Sequence, residues 1–293
     1  MQSPKRNFFL LLILATVLVP FEAQTRAGAA SNRGSIPRII HQSWKVETLP
    51  VKLRQWQQTM KERHPGWEYR LWTDAENREL VREHYPWLLD IYDGLPENIM
   101  RADMARILYM HQFGGLYADL DFEVLQPFDG LIKGESLVLA SMTDDLTFNH
   151  SIPNAWMASA PGHRFWQFCL QHIVSAASPC MLRPQKGWFG LRRRRKWDWV
   201  EDVTGPPMLL KSVMAYNTTL GLAHVRILEP GIIYPIDWRY TSQDWKNAGF
   251  RPPKGSRKGH HEVCDPRQAG FSELACKAKF PDAYAITYWM HSW

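Results

Sequence analysis

The stretch GGLYADLDFE, residues 114–123, places two aspartates two positions apart inside an apolar run. Asp119 and Asp121 follow a Gly-Gly pair, and the apolar residues around them are typical of a buried strand. Residues two apart in a strand share one face, about 7 Å apart at their Cα atoms, so two carboxylates there repel each other unless a cation or a partner base neutralises them. Ligands bind at the carboxyl ends of strands in open α/β sheets. The pair therefore predicts a clamp for Mg²⁺ or Mn²⁺ carrying a diphosphate.

The segment before this stretch, ENIMRADMARILYMHQFGG, predicts a helix that ends at Gly114. Asp103 falls on the apolar face of that helix with Ile99, where an unpaired charge would be costly. Arg101 and Arg106 stand on the same helix. These charged side chains belong either to a solvated face or to the same site as the aspartates.

Strand and helix patterns alternate on both sides of this region. Strands are predicted at IPRIIHQSWK, WEYRLWTD, LYADLDFEVLQ and SLVLAS, strand-like character at RILEPGIIYPIDW, and a last strand or turn at AYAITYWMHSW. Helices are predicted at LPVKLRQWQQTMKERHPG, HRFWQFCLQHIVSAA, TGPPMLLKSVMAYN and AENRELVREHYPWLLDIYDGLP, the last with Asp74 as its cap and an interruption near Pro86. The alternation predicts an α/β fold with a mainly parallel sheet. No internal repeat or change of composition divides residues 36–293, which we expect to form a single domain.

Residues 1–35 are predicted to lie outside that domain. Lys5 and Arg6 precede an apolar run from Phe8 to Phe21, which is typical of a signal-peptide core or of a short signal anchor behind a cytosolic tail. The small residues RAGAAS that follow are either a cleavage zone or part of a flexible stem. Both alternatives place the rest of the chain in the secretory lumen.

Two further features agree with a lumenal location. Asn149 and Asn217 open tripeptides with the form of glycosylation acceptors. Four cysteines allow two disulfides, and closeness in sequence favours the pairs Cys169–Cys180 and Cys264–Cys276.

The charge of the chain is local rather than diffuse. The 293 residues carry 35 basic and 29 acidic side chains, a net charge of +6, and one run at residues 192–196 holds much of the excess. This distribution argues against a nucleic-acid partner. The loop predicted at 188–199 interleaves Trp and Arg, so it is either a solvated insert or a contact with the lumenal membrane or an anionic headgroup.

The chain resembles a known enzyme family. The segments IPRIIHQSWK, YRLWTD, RADMARILYMHQFGGLYADLDFEVLQPFD, NAWMASAPGHRFW and the closing SW are similar to glycosyltransferases with an Asp-x-Asp sugar-binding region. The similarity covers residues 36–165 and is nearest to the inositol phosphoceramide mannosyltransferase catalytic subunits. It implies a GT-A fold of the Rossmann-like type, a manganese or magnesium ion, a nucleotide-sugar donor and retention of the anomeric configuration.

The resemblance also implies roles for individual residues. Asp119 and Asp121 match the metal and diphosphate pair, with Asp121 as the direct ligand. Asp103 and Arg106 match the residues that hold the donor sugar and the diphosphate, so Asp103, Arg106 and Asp121 are the expected catalytic set. Arg101 joins the donor-binding set on the same helix.

By the same resemblance, the segment at residues 40–44 matches the first strand end, where the base and the ribose of the donor lie. His41 and Trp44 in this segment, and Trp72 on the second predicted strand, are the donor-binding candidates, and the two tryptophans are equally compatible with core packing.

The end of the chain departs from the family pattern. Many relatives carry a His a few residues before the final Ser-Trp, where this chain has Thr287 and Tyr288. We expect His291, as a metal ligand, or Ser292 to complete the metal site, and Trp293 to close over the donor. A terminal aromatic packed on the core is the alternative.

The resemblance implies mannose transfer from GDP-mannose to a glycolipid or glycan, with inositol phosphoceramide as the leading acceptor and a regulatory subunit as a compatible partner. The expected location is the Golgi membrane in type II orientation, or the lumen after signal cleavage. The alternatives are an α-galactosyltransferase that uses UDP-galactose, a glycoside hydrolase with paired carboxylates, and a sugar-binding protein without turnover.

Overall fold

The computed structural model describes residues 34–177, 196–220, 225–237, 262–266 and 268–290. The predicted N-terminal apolar run, Cys180, residues 188–195 of the basic loop and the last three residues, His291, Ser292 and Trp293, lie outside the described residues. None of the helices that the structure describes is both long and apolar enough to cross a membrane.

Helices and strands alternate along the described residues. The helices are α1 (Val51–Arg63), α2 (Asp74–His84), α3 (Leu89–Gly94), α4 (Asn98–Gln112), α5 (Asp129–Ile132), α6 (Phe165–Ala176), α7 (Lys196–Thr204), α8 (Pro206–Leu220) and α9 (Glu273–Lys279), with 3₁₀ turns at Pro86–Leu88 and Glu262–Cys264. The strands are β1 (Ile39–Ser43), β2 (Glu68–Trp72), β3 (Gly115–Ala118), β4 (Phe122–Val124), β5 (Leu137–Ala140), β6 (Trp156–Ser159), β7 (Arg226–Leu228) and β8 (Ala285–Thr287).

Six strands form a central sheet in the order β2-β1-β3-β6-β5-β7, and β4 pairs with β8 in a second, antiparallel sheet. Strand β1 lies parallel to both β2 and β3, and β5 lies parallel to β7, whereas β6 runs antiparallel to β3 and β5. The predicted α/β class with a mainly parallel sheet is confirmed. Strand β6 was missed because its four residues, WMAS, show no alternation and include no β-branched residue.

The central sheet is buried on both faces. Leu116 and Trp156 point into a core shared with α1 and the second sheet, whereas their neighbours Tyr117 and Met157 point into a core shared with α4, α6 and α8. This alternation follows the two-residue period of a strand. It explains why the strands of this chain read as continuous apolar runs.

The run LYADLDFEVLQ is two strands and not the single strand that was predicted. Strand β3 ends at Ala118 in the central sheet, and β4 begins at Phe122 in the second sheet. The chain changes sheets between them because β4 pairs with β8, some 160 residues later in the chain. Asp119 and Asp121 therefore lie in a connection at the carboxyl end of β3.

Two smaller predictions were also wrong. Thr73, not Asp74, caps α2, because the Thr73 hydroxyl accepts from the Glu76 N–H while the Glu76 carboxylate accepts from the Thr73 N–H. The basic loop ends before residue 196, where α7 begins, because Trp199 packs against the core.

The predicted helix stop at Gly114 is confirmed, and the structure shows why two glycines are needed. Gly114 and Gly115 have φ values of 65° and 92°, which residues other than glycine rarely adopt. A Cβ atom on Gly114 would lie 2.5 Å from the Pro161 nitrogen, and one on Gly115 would lie 2.4 Å from the Ile39 oxygen. The pair therefore lets α4 turn sharply into β3 against the first strand.

One predicted disulfide is confirmed. Cys264 and Cys276 are bonded, and they tie the Glu262–Cys264 turn to α9. Cys169 is buried in α6, and its predicted partner Cys180 lies outside the described residues. Asn149 and Asn217, the two predicted glycosylation acceptors, are exposed.

Candidate active site

A cleft opens at the carboxyl ends of β1, β2 and β3. The chain runs from β1 outward to β2 and then returns to place β3 on the other side of β1, which makes this a topological switch point. The lining residues that matter here are Ser43, Trp44, Asp74, Asn98, Arg106, Tyr117, Asp119 and Asp121. Four of the predicted site residues, Trp44, Arg106, Asp119 and Asp121, therefore meet in one cleft.

Arg106 is a buried cation at the centre of this site. Its Nη1 lies 3.2 Å from Asp119 Oδ1, and its Nη2 lies 3.4 Å from Asp103 Oδ1. Nη1 also donates to the Asn154 carbonyl at 3.0 Å, and the guanidinium covers the Tyr117 ring. Burial lowers the pKa of Arg106, but Asp119, Tyr117 and Asp103 together raise it above its usual value. The side chain is therefore a fixed positive charge at the floor of the cleft.

Asp103 supports Arg106 from behind and does not line the cleft. Its carboxylate accepts from Asn154 Nδ2 at 2.9 Å and from Thr204 Oγ1 at 3.2 Å. Burial raises the pKa of Asp103 to about 6, although Arg106 and these donors oppose the shift. The costly charge predicted on the apolar face of α4 is thus paired, and its role in the free protein is to orient Arg106.

Asp119 is fixed through its backbone and its side chain. Its N–H donates to the Ala155 carbonyl at 2.9 Å, and its own carbonyl accepts from Gln42 Nε2 at 3.1 Å. Tyr117, two residues earlier on β3, donates its hydroxyl to Asp119 Oδ1 at 2.6 Å. One oxygen of Asp119 is therefore engaged by the ion pair with Arg106 and by the Tyr117 hydroxyl.

Asp121 is buried and has only neutral donors among the described residues. Its Oδ2 accepts from the Met290 N–H at 2.9 Å, and its Oδ1 accepts from Thr287 Oγ1 at 3.3 Å. Burial, and then the charge of Asp119, raise the pKa of Asp121 to about 7. A carboxylate held in this way needs a positive charge that the described residues do not supply.

The C-terminal segment reaches the acidic pair through β8, which lies alongside β4. Within β4, Glu123 is buried and accepts hydrogen bonds from Tyr288 Oη at 2.6 Å and from Lys277 Nζ at 2.5 Å. Lys277 belongs to α9, the helix that carries the Cys264–Cys276 disulfide. The polar pairs and the disulfide thus hold the segment that contacts Asp121.

Several contributors to the site were not predicted. Asn154, Thr204, Thr287 and the Met290 N–H come from segments far from the acidic pair in sequence, and their residue types carry no signal of their own. Tyr117 could have been found, because it lies two residues before Asp119, the spacing that places side chains on one face of an extended chain. The predicted ligand His291 and the predicted lid Trp293 lie outside the described residues, directly after Met290.

Three residues predicted to contact the donor do not line the cleft. His41 is fully buried, and it donates from Nε2 to the Gly114 carbonyl while Nδ1 accepts from Trp72 Nε1. Burial lowers the pKa of His41 to about 4, so its ring is neutral. The Trp72 ring stacks on Tyr109 in the core, and Arg101 donates to the Leu95 carbonyl beside the cleft. The structure brings none of the three to the aspartates.

The aspartate pair fits a divalent cation by its chemistry. The structure describes no cluster of three or more His, Cys, Asp or Glu side chains that could hold a metal. Two carboxylates that leave further positions to phosphate oxygens and water are nevertheless the donor set of a hard cation such as Mg²⁺ or Mn²⁺. The buried Asp121, with no cationic partner among the described residues, is the observation that favours such an ion.

Comparison with known proteins finds a family match over the part of the chain that contains the aspartate pair. Residues 50–138 match the family described as "Glycosyltransferase sugar-binding region containing DXD motif". The chain is 36% identical over 147 residues to "Inositol phosphoceramide mannosyltransferase 2" of Schizosaccharomyces pombe, which covers 50% of this chain and 41% of that protein. It is 33% identical over 138 residues to "Mannosyl phosphorylinositol ceramide synthase SUR1" of Saccharomyces cerevisiae, which covers 47% of this chain and 35% of that protein. The resemblance stated from the sequence is confirmed.

Other similarities are more distant. "Initiation-specific alpha-1,6-mannosyltransferase" of Candida albicans is 29% identical over 162 residues, which covers 50% of this chain and 40% of that protein. Among solved structures, "PaToxG Glycosyltransferase" has a TM-score of 0.48 at 13% identity and covers 71% of this chain and 79% of that one. The chain spans less than half the length of the curated relatives it matches.

Proposed function

We propose, from the DXD region matched at residues 50–138, that this chain is a metal-dependent, retaining glycosyltransferase of the GT-A type. The donor is a nucleotide sugar bound in the cleft, and the leading candidate is GDP-mannose. The acceptor is a glycolipid or a glycan, with inositol phosphoceramide as the first choice because relatives named for that activity are among the most similar proteins. The observation that carries the proposal is the buried, cation-deficient Asp121 beside the Asp119–Arg106 pair.

The residues of the cleft divide the work on the donor. Asp119 and Asp121 would hold Mn²⁺ or Mg²⁺, which neutralises charge on the departing nucleoside diphosphate when it is bound. Arg106 faces the same site as a permanent positive charge that stabilises the diphosphate without reorganising, because Asp103 and Asn154 already fix its position. Tyr117 holds Asp119 in place. Retention of configuration rests on the resemblance alone.

The location of the protein follows from the same proposal. The Cys264–Cys276 disulfide favours an oxidising compartment. We therefore place the enzyme in the secretory pathway, as a Golgi membrane protein with a lumenal catalytic domain or as a lumenal protein after signal cleavage. We also propose that residues 188–199 contact the lumenal membrane and that a regulatory subunit binds the enzyme.

Transfer assays test the proposal. The purified chain is incubated with GDP-mannose or UDP-galactose, with inositol phosphoceramide in vesicles, in Mn²⁺ or in EDTA. We expect mannosylated lipid with GDP-mannose and Mn²⁺ only, and product from UDP-galactose would instead favour the α-galactosyltransferase alternative. Product that forms equally in EDTA would reject metal-dependent transfer. Donor hydrolysis in Mn²⁺ without transfer would show that inositol phosphoceramide is not the acceptor.

A further inference from the structure

Asp74 is a carboxylate on the wall of the cleft, on the β2 side of the aspartate pair. Asp74 is the first residue of α2, directly after β2, and it lines the cleft together with Trp44 and Asn98. Asp74 is exposed to solvent, and the described side chains offer its carboxylate neither a hydrogen bond nor an ion pair. Partial burial raises the pKa of Asp74. The positive charges of Arg101 and Lys45 oppose this shift, although neither side chain contacts the carboxylate.

The neighbouring acidic residues contrast with Asp74. Glu76 closes the capping box, Glu79 pairs with Arg82, and Asp93 pairs with Arg78. Each of these carboxylates has a structural partner that accounts for it. Asp74 has none among the described residues, and of these four carboxylates it is the one that lines the cleft.

The sheet order sets the distance between Asp74 and the aspartate pair. In the order β2-β1-β3, the carboxyl ends of β2 and β3 are two strand spacings apart, or about 10 Å. Asp119 and Asp121 follow β3, whereas Asp74 follows β2. A nucleotide whose diphosphate is held by the aspartate pair, and whose nucleoside runs along the cleft toward β2, would bring its base past Trp44 to Asp74.

A carboxylate at this position discriminates between bases. An ionised carboxylate only accepts hydrogen bonds. The edge of guanine presents two adjacent donors, N1–H and the N2 amino group, which match the two oxygens of one carboxylate. Uracil presents a single N–H between two carbonyl oxygens, and these oxygens would face the carboxylate repulsively.

We propose that Asp74 reads the base of the donor by accepting from N1–H and N2–H of guanine, with the Trp44 indole as the stacking surface. This inference rests on the proposed function, because it takes the diphosphate to lie at the aspartate pair. It assigns Asp74 the choice of base, whereas Arg106, Asp119 and Asp121 act on the diphosphate that all nucleotide sugars share.

Inosine diphosphate supplies an atom-level test, because it lacks only the N2 amino group of GDP. Calorimetry with Mn²⁺ measures the affinities of GDP, IDP and UDP for the wild type, for Asp74→Asn and for the control Asp90→Asn, an exposed site on α3. A two-point contact to a base carries on the order of 1–3 kcal/mol of discrimination. We expect the wild type and Asp90→Asn to bind GDP at least about fivefold tighter than IDP and UDP.

In Asp74→Asn the preference for GDP over IDP should collapse or invert, because the new amide group opposes the N2 amino group. A wild type that binds GDP and IDP equally, or that prefers UDP, overturns the inference even if the variant does not fold. An undiminished GDP preference in a folded Asp74→Asn overturns it as well. Binding of none of the three diphosphates in Mn²⁺ contradicts the proposed function itself, and the inference with it.

Discussion

Replacing Asp121 with Asn should stabilise the metal-free protein while it abolishes the response to metal. In the absence of a cation, the wild-type carboxylate is buried, and its donors among the described residues are all neutral. An asparagine retains both contacts, because its oxygen accepts from the Met290 N–H and its amide group donates to Thr287 Oγ1. The substitution therefore removes an unfavourable charge and leaves the hydrogen bonds in place.

The structure gives the magnitude and the sign of this effect. The pKa of Asp121 rises from 3.8 to about 7, a shift of about three units, and each unit corresponds to about 1.4 kcal/mol. Because the folded-state pKa is raised, the folded protein keeps the proton longer than the unfolded chain, and the free energy of unfolding falls as pH rises from about 4 to about 7. The cost reaches about 4 kcal/mol above pH 7, and asparagine does not incur it.

Urea denaturation in EDTA at pH 5 and pH 8 measures this difference. We expect Asp121→Asn to be more stable than the wild type by about 2 kcal/mol at pH 5 and by about 4 kcal/mol at pH 8. The exposed Asp144→Asn control should differ from the wild type by less than about 0.5 kcal/mol at both values. Added Mn²⁺ with GDP should then stabilise the wild type at pH 8 and leave Asp121→Asn unchanged. A variant that is less stable than the wild type at pH 8, or a difference that does not grow with pH, would refute this reasoning.

Three further predictions concern the fold and the site. Gly115→Ala should lower the free energy of unfolding by more than about 2 kcal/mol, and by clearly more than Gly134→Ala. Both glycines have positive φ, but only a Cβ atom at position 115 would clash with the backbone. Equal losses of stability in urea denaturation would contradict the steric argument. Reducing the Cys264–Cys276 disulfide should cost about 3 kcal/mol for a loop of this length, measured by urea denaturation with and without reductant, and an unchanged midpoint would show that the bond contributes nothing. Arg106→Lys should lower kcat for donor turnover at least about tenfold. The reason is that one ammonium group cannot contact Asp103, Asp119 and the Asn154 carbonyl together. Wild-type turnover by a folded variant would contradict the role of Arg106 in the mechanism.

The first half of the fold was predictable from local signals. The Gly-Gly pair marks the end of α4, and the alternation of apolar strands with amphipathic helices gives the α/β class. The break within LYADLDFEVLQ was not predictable, because a continuous apolar run does not reveal which partner each part will pair with. Only the distant strand β8 decides that β4 leaves the central sheet.

The residues of the site also differ in whether local sequence patterns could predict them. Asp103, Arg106 and Asp119 lie within 17 residues of one another on α4 and just after β3, so their proximity followed from the helix and the strand. The donors to Asp121, Thr287 and Met290, arrive by a long-range pairing that no local pattern encodes. Trp44 and His41 were both predicted to bind the donor near the end of the first strand, yet only Trp44 lies beyond the strand, where the cleft opens.

The central claim is that Asp119 and Asp121 bind a nucleoside diphosphate through a divalent cation. Calorimetric titration of GDP into the protein, with Mn²⁺ and then in EDTA, tests it most directly. We predict saturable binding of one GDP per chain in Mn²⁺, no detectable binding in EDTA, and none by a folded Asp121→Asn variant under either condition. GDP binding of equal affinity in Mn²⁺ and in EDTA would contradict the account.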